Sequence, residues 1–294
     1  MSNPYLITGP ALISFSGGRT SAFMLWNILQ AHGGTLPDDV IVGFANTGKE
    51  REETLRFVHE CGSRWGVKVH WIEWRPLKPG FEEVGFNSAD RDGKPFEDLM
   101  LRKQYLPNPT MRYCTAELKV RPMKKFMMSL GFDHWTSVIG LRYDEGHRVL
   151  KQIAFNEAGK ERWKTVMPMA SAKAKHAKSD VMRFWLGPDA RYPSDSLPQG
   201  FDLGLYDYEG NCDLCFLKGR DKLAALIRDN PERAEWWSAM EDAAKCSVPG
   251  GARFRKAESY RQLADFVRDQ GELPLPLDDE EYDVECGLTC AEAA

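Results

Sequence analysis

Two groups of residues in this sequence have the types and spacing to do chemistry. One is a crowd of glycines and hydroxyls between Ser14 and Ser21; the other is a set of closely paired cysteines toward the C-terminus. The stretch "ALISFSGGRTSAFML" runs from apolar residues through Ser14, Ser16, Gly17, Gly18, Arg19, Thr20 and Ser21 into an amphipathic segment. Gly17 and Gly18 permit backbone angles closed to other residues and let a ligand approach the main chain. A helix opening just after them offers unpaired N–H groups and the positive end of its dipole. That arrangement suits a phosphate, pyrophosphate or sulfate, with hydroxyl donors from the serines and a fixed positive charge from Arg19. The spacing is neither G-x-x-x-x-G-K-[ST] nor G-x-G-x-x-G. Read alone, the same residues also make a tight turn with serine as a helix N-cap.

The seven cysteines are an odd number, which in a chain of 294 residues does not suit a secreted disulfide framework. Cys61, Cys114 and Cys246 are scattered, whereas Cys212/Cys215 and Cys286/Cys290 form tight pairs. In a reducing compartment such pairs bind metal or react. A C-x-x-C turn brings two thiolates onto one ion or cluster, and thiolates favour iron–sulfur or zinc. A zinc knuckle or a free thiol pair is the alternative, and Cys61 reads as packing.

A cationic set accompanies these groups. Lys119, and Arg142 and Arg148 in "VIGLRYDEGHR" after Gly140, are placed for charge-assisted hydrogen bonds to oxyanions. Asp144 and Glu145 lie between the arginines, to hold them by salt bridges (the preferred reading) or to bind Mg²⁺ through carboxylate oxygens. Asn46, Thr47, Gly48 and Glu50 close a strand-like run at the end where ligands of open parallel sheets gather; a plain turn and helix cap is the competing reading. His70 and His147 carry no site.

The elements that must position these residues alternate. "ALISF", "DVIVGFAN", "VKVHWIEW" and "HWTSVIGLR" read as strands, and Ser21–Ala31, "EREETLRFVHECGSRWG" and Pro122–Leu130 as helices. The expected fold is α/β, a doubly wound and mainly parallel sheet, with a smaller helical C-terminal part. Residues 1–186 would form the nucleotide-type domain. Residues 187–294 would hold a Pro/Ser/Gly-rich linker, the C-x-x-C segment, helices over Leu217–Lys245 and "SYRQLADFVRDQG", and an acidic cysteine-bearing tail. A net charge of −4 gives no global attraction to nucleic acid or anionic membrane, so such contacts need a local basic patch. No apolar run reaches the length of a membrane span, and the first residues lack a basic-then-apolar leader. A cytoplasmic location and no membrane partner are therefore expected.

Several segments, taken together and in order, resemble the phosphoadenosine phosphosulfate (PAPS) reductase family of the PP-loop ATP pyrophosphatase, or adenine nucleotide alpha-hydrolase, superfamily. "SFSGGRTS" resembles the PP-loop S-G-G-x-D-S, and "FANTGKEREETLRFV" the D-T-G…E-T segment. "RYCTAELKVRP" is similar to C-C-x-x-x-K-V-x-P, "VIGLRYDEGHR" to G-x-R-x-x-x-S-x-x-R, "CDLC" to the cluster C-x-x-C, and "ECGLTC" to a terminal E-C-G-L-H. The departures are Arg19-Thr20 for Lys-Asp, Tyr113-Cys114 for a cysteine pair, and Thr289 for histidine; with them the chain resembles a divergent relative of phage or plasmid type.

The resemblance implies that Ser14, Ser16, Gly17, Gly18, Arg19, Thr20, Ser21, Asn46, Thr47, Gly48, Glu50, Gly140 and Arg148 bind ATP, adenylyl sulfate or PAPS, with the backbone near Phe44 and Ala45 meeting the adenine. It implies Lys119, Arg142 and Cys286 in catalysis, Cys286 attacking the sulfate sulfur. Cys114, Cys212 and Cys215, with Cys290 as the preferred fourth ligand over Cys286 or Cys246, would hold an iron–sulfur cluster, 4Fe-4S in type; zinc is the alternative. The implied activity is reduction of an adenylylated sulfate or ATP-driven sulfur transfer. The partners would be an adenine nucleotide, a thiol or cysteine-persulfide donor, a nucleic-acid acceptor not excluded, and a second copy in a homodimer. The competing function is a non-catalytic nucleotide- and metal-binding sensor or assembly protein.

Overall fold

The computed structural model describes residues 3–188, 197–210, 212–245 and 252–270. Its centre is a sheet of order β4-β3-β2-β1-β5-β6, built from β1 (Ala11–Ser14), β2 (Val40–Asn46), β3 (Val69–Trp74), β4 (Phe81–Val84), β5 (Trp135–Val138) and β6 (Trp163–Val166). All neighbouring strands are parallel except β3 and β4, which pair antiparallel. The chain moves outward from β1 through β2 and β3, then returns to place β5 on the other side of β1. That reversal opens a crevice beyond the C-terminal end of β1, the usual ligand position in such sheets.

β1 is buried on both faces, as a central parallel strand must be. Ala11 and Ile13 join a core with Phe23, Met24 and Leu25 of α1 (Arg19–Ala31), Leu55 and Val58 of α2 (Glu52–Trp65), and Trp185 of α7 (Lys178–Leu186). Leu12 points the other way, to Met123, Phe126 and Met127 of α5 (Arg121–Ser129). A further apolar cluster joins α3 (Lys94–Lys103) to α8 (Arg220–Asp229), α9 (Arg233–Lys245) and α10 (Tyr260–Gln270), through Phe96, Leu99, Leu223, Trp237 and Tyr260. The remaining helices are α4 (Tyr113–Thr115) and α6 (Gly146–Ala158).

The expected α/β fold with its mainly parallel sheet is the observed one. α1 starts two residues earlier than its apolar pattern indicates, at Arg19. The segment expected from Leu217 to Lys245 is two helices, because Pro231 has no N–H to continue the first. The helix expected from Pro122 begins earlier, as α4 followed by a π-helical turn, Ala116–Val120, that leads into α5. The expected linker is described only in part, since residues 189–196 lie outside the described residues. Among the described residues, no helix is long and apolar enough to cross a membrane.

Candidate functional site: a phosphate-type cradle at the sheet edge

The turn between β1 and α1 is held from below and open above. Phe15 N–H still donates to Gly43 O at 2.9 Å, extending β1's pairing with β2 by one residue. Gly17 then takes φ +80°, where a Cβ would stand 2.7 Å from Thr54 Cγ2 and 3.1 Å from Val58 Cγ2. Only glycine satisfies both the angle and the space. Gly18 is the N-cap of α1, with no side-chain cap bond. Helical bonding begins when Ala22 N–H donates to Gly18 O at 3.0 Å, so the amides before it have no partner inside the helix. Ser21 is not the cap: its Oγ donates to Gly18 O at 3.0 Å and accepts from Ser16 N–H at 3.2 Å, bracing the turn from within. Gly140 passes close by, its Cβ position 3.3 Å from Ser21 Cα.

A solvent-open cleft lies against this turn, and Ser16, Gly17, Gly18, Arg19, Arg142, Lys178 and Asp207 are among its lining residues. Arg142 is buried, donates from Nη1 to Thr20 Oγ1 at 3.1 Å and is gripped by Asp144 at 3.1 Å. Glu145 accepts from the Arg142 N–H at 2.8 Å and pairs with Arg148. Both carboxylates between the arginines thus hold them, which matches the salt-bridge reading. Arg19 is buried and meets Asp202 through two bonds, Nε–Oδ1 2.8 Å and Nη2–Oδ2 2.5 Å. Its fixed charge, expected to serve a ligand, is therefore largely matched by a carboxylate of the protein. Lys178 Nζ lies 2.7 Å from Asp207 Oδ2. Asp202, Asp207 and Lys178 have no motif around them and were not expected from the sequence. Ser14 does not line this cleft: alternation along β1 turns it, with Leu12, to the α5 face, where it lines a separate recess and its buried Oγ has no hydrogen-bond partner among the described residues.

The turn after β2 is built differently. Thr47 donates from its N–H to Glu50 Oε2 at 2.8 Å and from Oγ1 to the same carboxylate. Asn46 is fully buried and donates to Glu73 Oε1 at 2.6 Å. Lys119, on the π-helical turn, approaches Glu50 Oε1 at 3.6 Å. Onto this turn the C-x-x-C segment docks by an antiparallel bridge between Glu50 and Cys212, with Asp213 N–H donating to Lys49 O at 2.8 Å. Cys212 Sγ lies 3.6 Å from Thr47 Oγ1. Thr47, Glu50, Lys119 and Cys212 therefore meet at the same sheet edge as the glycine turn. Phe44 and Ala45 bury their side chains in opposite cores.

Cys114 and Cys212, half-buried, border the apolar cluster of α3 and α8–α10, and Cys215, three residues after Cys212, is buried. Lys218 donates to Tyr208 O at 2.8 Å and to Gly210 O. Burial lowers its pKa, while the nearby Cys215, Cys212 and Asp213 pull it back up. Among the described residues no three His, Cys, Asp or Glu side chains gather as a metal-binding group. Cys114, Cys212 and Cys215 alone thus do not supply a coordination set. Cys246, Cys286 and Cys290 lie outside the described residues. Cys61 is buried, and burial pushes its thiol far up, as suits a packing residue. His70 of β3 pairs with Glu83 of the edge strand β4 at 2.8 Å, and His147 is exposed.

A mainly parallel sheet with an amide-rich turn at its switch point, facing a cleft lined by two buried arginines and the exposed Lys178, defines an α/β protein of nucleotide-binding type. Residues 10–184 match the phosphoadenosine phosphosulfate reductase domain, and the chain belongs to that family. It is 28% identical over 227 residues to an uncharacterised nin region protein of Escherichia phage lambda, covering 74% of this chain and 69% of the phage protein. It is also 28% identical over 156 residues to an uncharacterised protein of Methanocaldococcus jannaschii, covering 53% of this chain but 26% of the archaeal one. No solved structure gives a significant match.

Proposed function

We propose that the chain is an adenine-nucleotide-dependent sulfur enzyme, which either reduces an adenylylated sulfate or uses ATP to activate an acceptor for sulfur transfer. The observation that carries the reading is the β1–α1 turn: a glycine-only bend, a helix N-terminus without a side-chain cap, and a solvent-open cleft against both. The amides of Gly17, Gly18 and the first turn of α1 would receive the phosphate oxygens. Arg142, aimed by Asp144 and tied to Thr20, would add charge-assisted bonds to the same oxyanion. Lys119 stands at the neighbouring turn, where the thiol-bearing segment docks.

In the reductive form, the Cys286 thiolate forms a bond to the sulfate sulfur as the bond from sulfur to the nucleotide phosphate oxygen breaks and the nucleotide leaves. A dithiol carrier then attacks Cys286 Sγ, and the S–S bond breaks to release sulfite. The carrier supplies both electrons and ends as a disulfide. In the ATP-driven form, an acceptor oxygen attacks the α-phosphorus and pyrophosphate departs. An iron–sulfur cluster, or zinc, would need ligands beyond the described cysteines, so neither form is routed through one.

The test uses anaerobically purified protein incubated with ATP, or with adenylyl sulfate and a thiol carrier, and assays pyrophosphate, AMP and sulfite. Nucleotide binding with release of one of these products is the expected result. Absence of nucleotide binding would contradict the reading. Nucleotide binding without product under any acceptor would favour the sensor alternative. Sulfite release unaltered by Cys286→Ser would remove that residue from the role.

A further inference from the structure

We infer that the cleft between the β3–β4 connection and helices α3 and α5 binds the phosphodiester backbone of a nucleic acid. The cleft is open and holds about 920 Å³ of space, and six cationic side chains line it: Arg75, Lys78, Arg102, Lys103, Arg121 and Lys125. One carboxylate, Glu117, is among the lining residues. This concentration of positive charge runs against the chain's net charge of −4. It is the local basic patch that a protein of acidic balance needs for contact with a polyanion.

The internal partners leave much of that charge unmatched. Glu117 is shared between Lys103 at 2.7 Å and Arg121 at 2.6 Å. Arg75 is held by Glu73 at 2.8 Å and Glu82 at 2.6 Å. Lys78, Arg102 and Lys125 have no carboxylate partner among the described residues. Arg102 instead donates to Pro76 O at 2.7 Å, which fixes its guanidinium against the β3–β4 connection.

The shape distinguishes the occupant. A small anion is held where amides and cations converge on one point, as at the glycine turn. Here the cations are spread over three elements around an open trough, which fits a ligand carrying charges in series. The concavity argues against a flat membrane surface. Leu77, 78% exposed at the lip, offers apolar surface to bases.

The location gives the cleft a use. Trp74 and Leu99 line it and belong to the apolar cluster that Cys114 and Cys212 border. Glu117 sits two residues before Lys119 on the π-helical turn. A strand lying in the cleft would run beside the sulfur-bearing edge, as the acceptor of the sulfur. That role rests on the proposed function; the binding does not.

The experiment is fluorescence anisotropy of labelled single-stranded DNA, single-stranded RNA and duplex with the full chain, at about 50 mM and about 200 mM salt. At least one probe is expected to bind and to weaken as salt rises. Lys78→Glu with Lys125→Glu should cut its affinity about tenfold or more and flatten the salt slope by roughly one to two. The same variant should keep wild-type ATP binding. Lys160→Glu with Lys164→Glu, exposed and outside the cleft, is the control. No binding of any probe at the lower salt, or equal losses in the two variants, would overturn the inference. Tighter binding of poly-glutamate than of the oligonucleotides would overturn it in favour of an acidic protein. Oligonucleotide binding in a chain that does not bind ATP would sustain this cleft and reject the proposed function.

Discussion

The turns that follow β1 and β2 lie side by side at one sheet edge, and each turns on a glycine with positive φ, +80° at Gly17 and +81° at Gly48. The space beside both glycines is filled, Thr54 Cγ2 standing 2.7 Å from the Gly17 Cβ position; the difference lies in what covers the turns. Above Gly18 the nearest atom to a would-be Cβ is Ser16 Oγ at 3.8 Å, so the backbone is left open to a ligand. Gly48 is closed in, with Gly93 Cα 2.9 Å from its Cβ position and the C-x-x-C segment bridged to Glu50. The first turn is a local device, complete within a few residues. The second is one half of an assembly whose other half lies more than 160 positions away, at Cys212. The difference teaches where to look for each function: anion binding in the open turn, long-range coupling of the thiol segment in the closed one.

The largest effect expected from breaking this contrast is at Asp202. Asp202→Ala removes both oxygens from the buried Arg19 guanidinium and should cost about 3 kcal/mol of stability, read by urea unfolding. A loss under about 1 kcal/mol would mean that Arg19 finds another anion in the fold.

Next comes the open turn itself. Gly17→Val places a β-branched side chain at φ +80° against Thr54 and should weaken nucleotide binding about a hundredfold by calorimetry, about 2.7 kcal/mol. Thr47→Val probes the closed turn. It removes a donor from buried Glu50, so a stability loss of about 1–2 kcal/mol is expected, with nucleotide affinity changed less than about threefold. A large affinity loss from Thr47→Val would merge the two turns into one site.

The smallest effect is a pH dependence on the thiol side. Burial pushes the Glu117 carboxyl up, but Lys103 and Arg121 outweigh it and hold the group below its ordinary value of 4.5. The folded state therefore binds this proton less readily than the unfolded chain. Glu117's contribution is full above the ordinary value and is lost as pH falls through the folded one. The stability gap between wild type and Glu117→Gln should be larger at neutral pH than at about pH 3, and at most about 1 kcal/mol for a partly exposed group. An equal gap at both pH values would remove the ion pairs as its cause.

Legibility in the sequence followed locality and burial. β1 and β2 are legible as apolar runs because inner strands of a parallel sheet are covered on both faces, and β3 is legible from its alternation. β4 and β6 did not show, because they are short edge strands: "FEEV" has no fully buried residue and "WKTV" alternates weakly. α6 was invisible for a related reason, since Gln152 is its only buried residue and no apolar stripe marks it. At the site, the glycine turn, the Asn46–Glu50 turn and the arginine turn were readable, each being contiguous. Asp202, Asp207 and Lys178 were not, because an ion pair spanning 183 positions leaves no periodic trace. Arg19 lines the cleft as the sequence suggests, but its guanidinium is also held by Asp202, a partner that the sequence does not reveal. The family resemblance puts Ser14 with the turn, whereas strand alternation sends it to the other face.

The measurement that tests the central claim most directly is a nucleotide titration followed through the backbone amide NMR signals of Ser16 to Ser21. The account predicts saturable shifts at Gly17, Gly18 and the first residues of α1 on adding ATP or adenylyl sulfate, with Gly48 and Lys49 moving little. Saturable binding that leaves the Gly17 and Gly18 amides unmoved would contradict it.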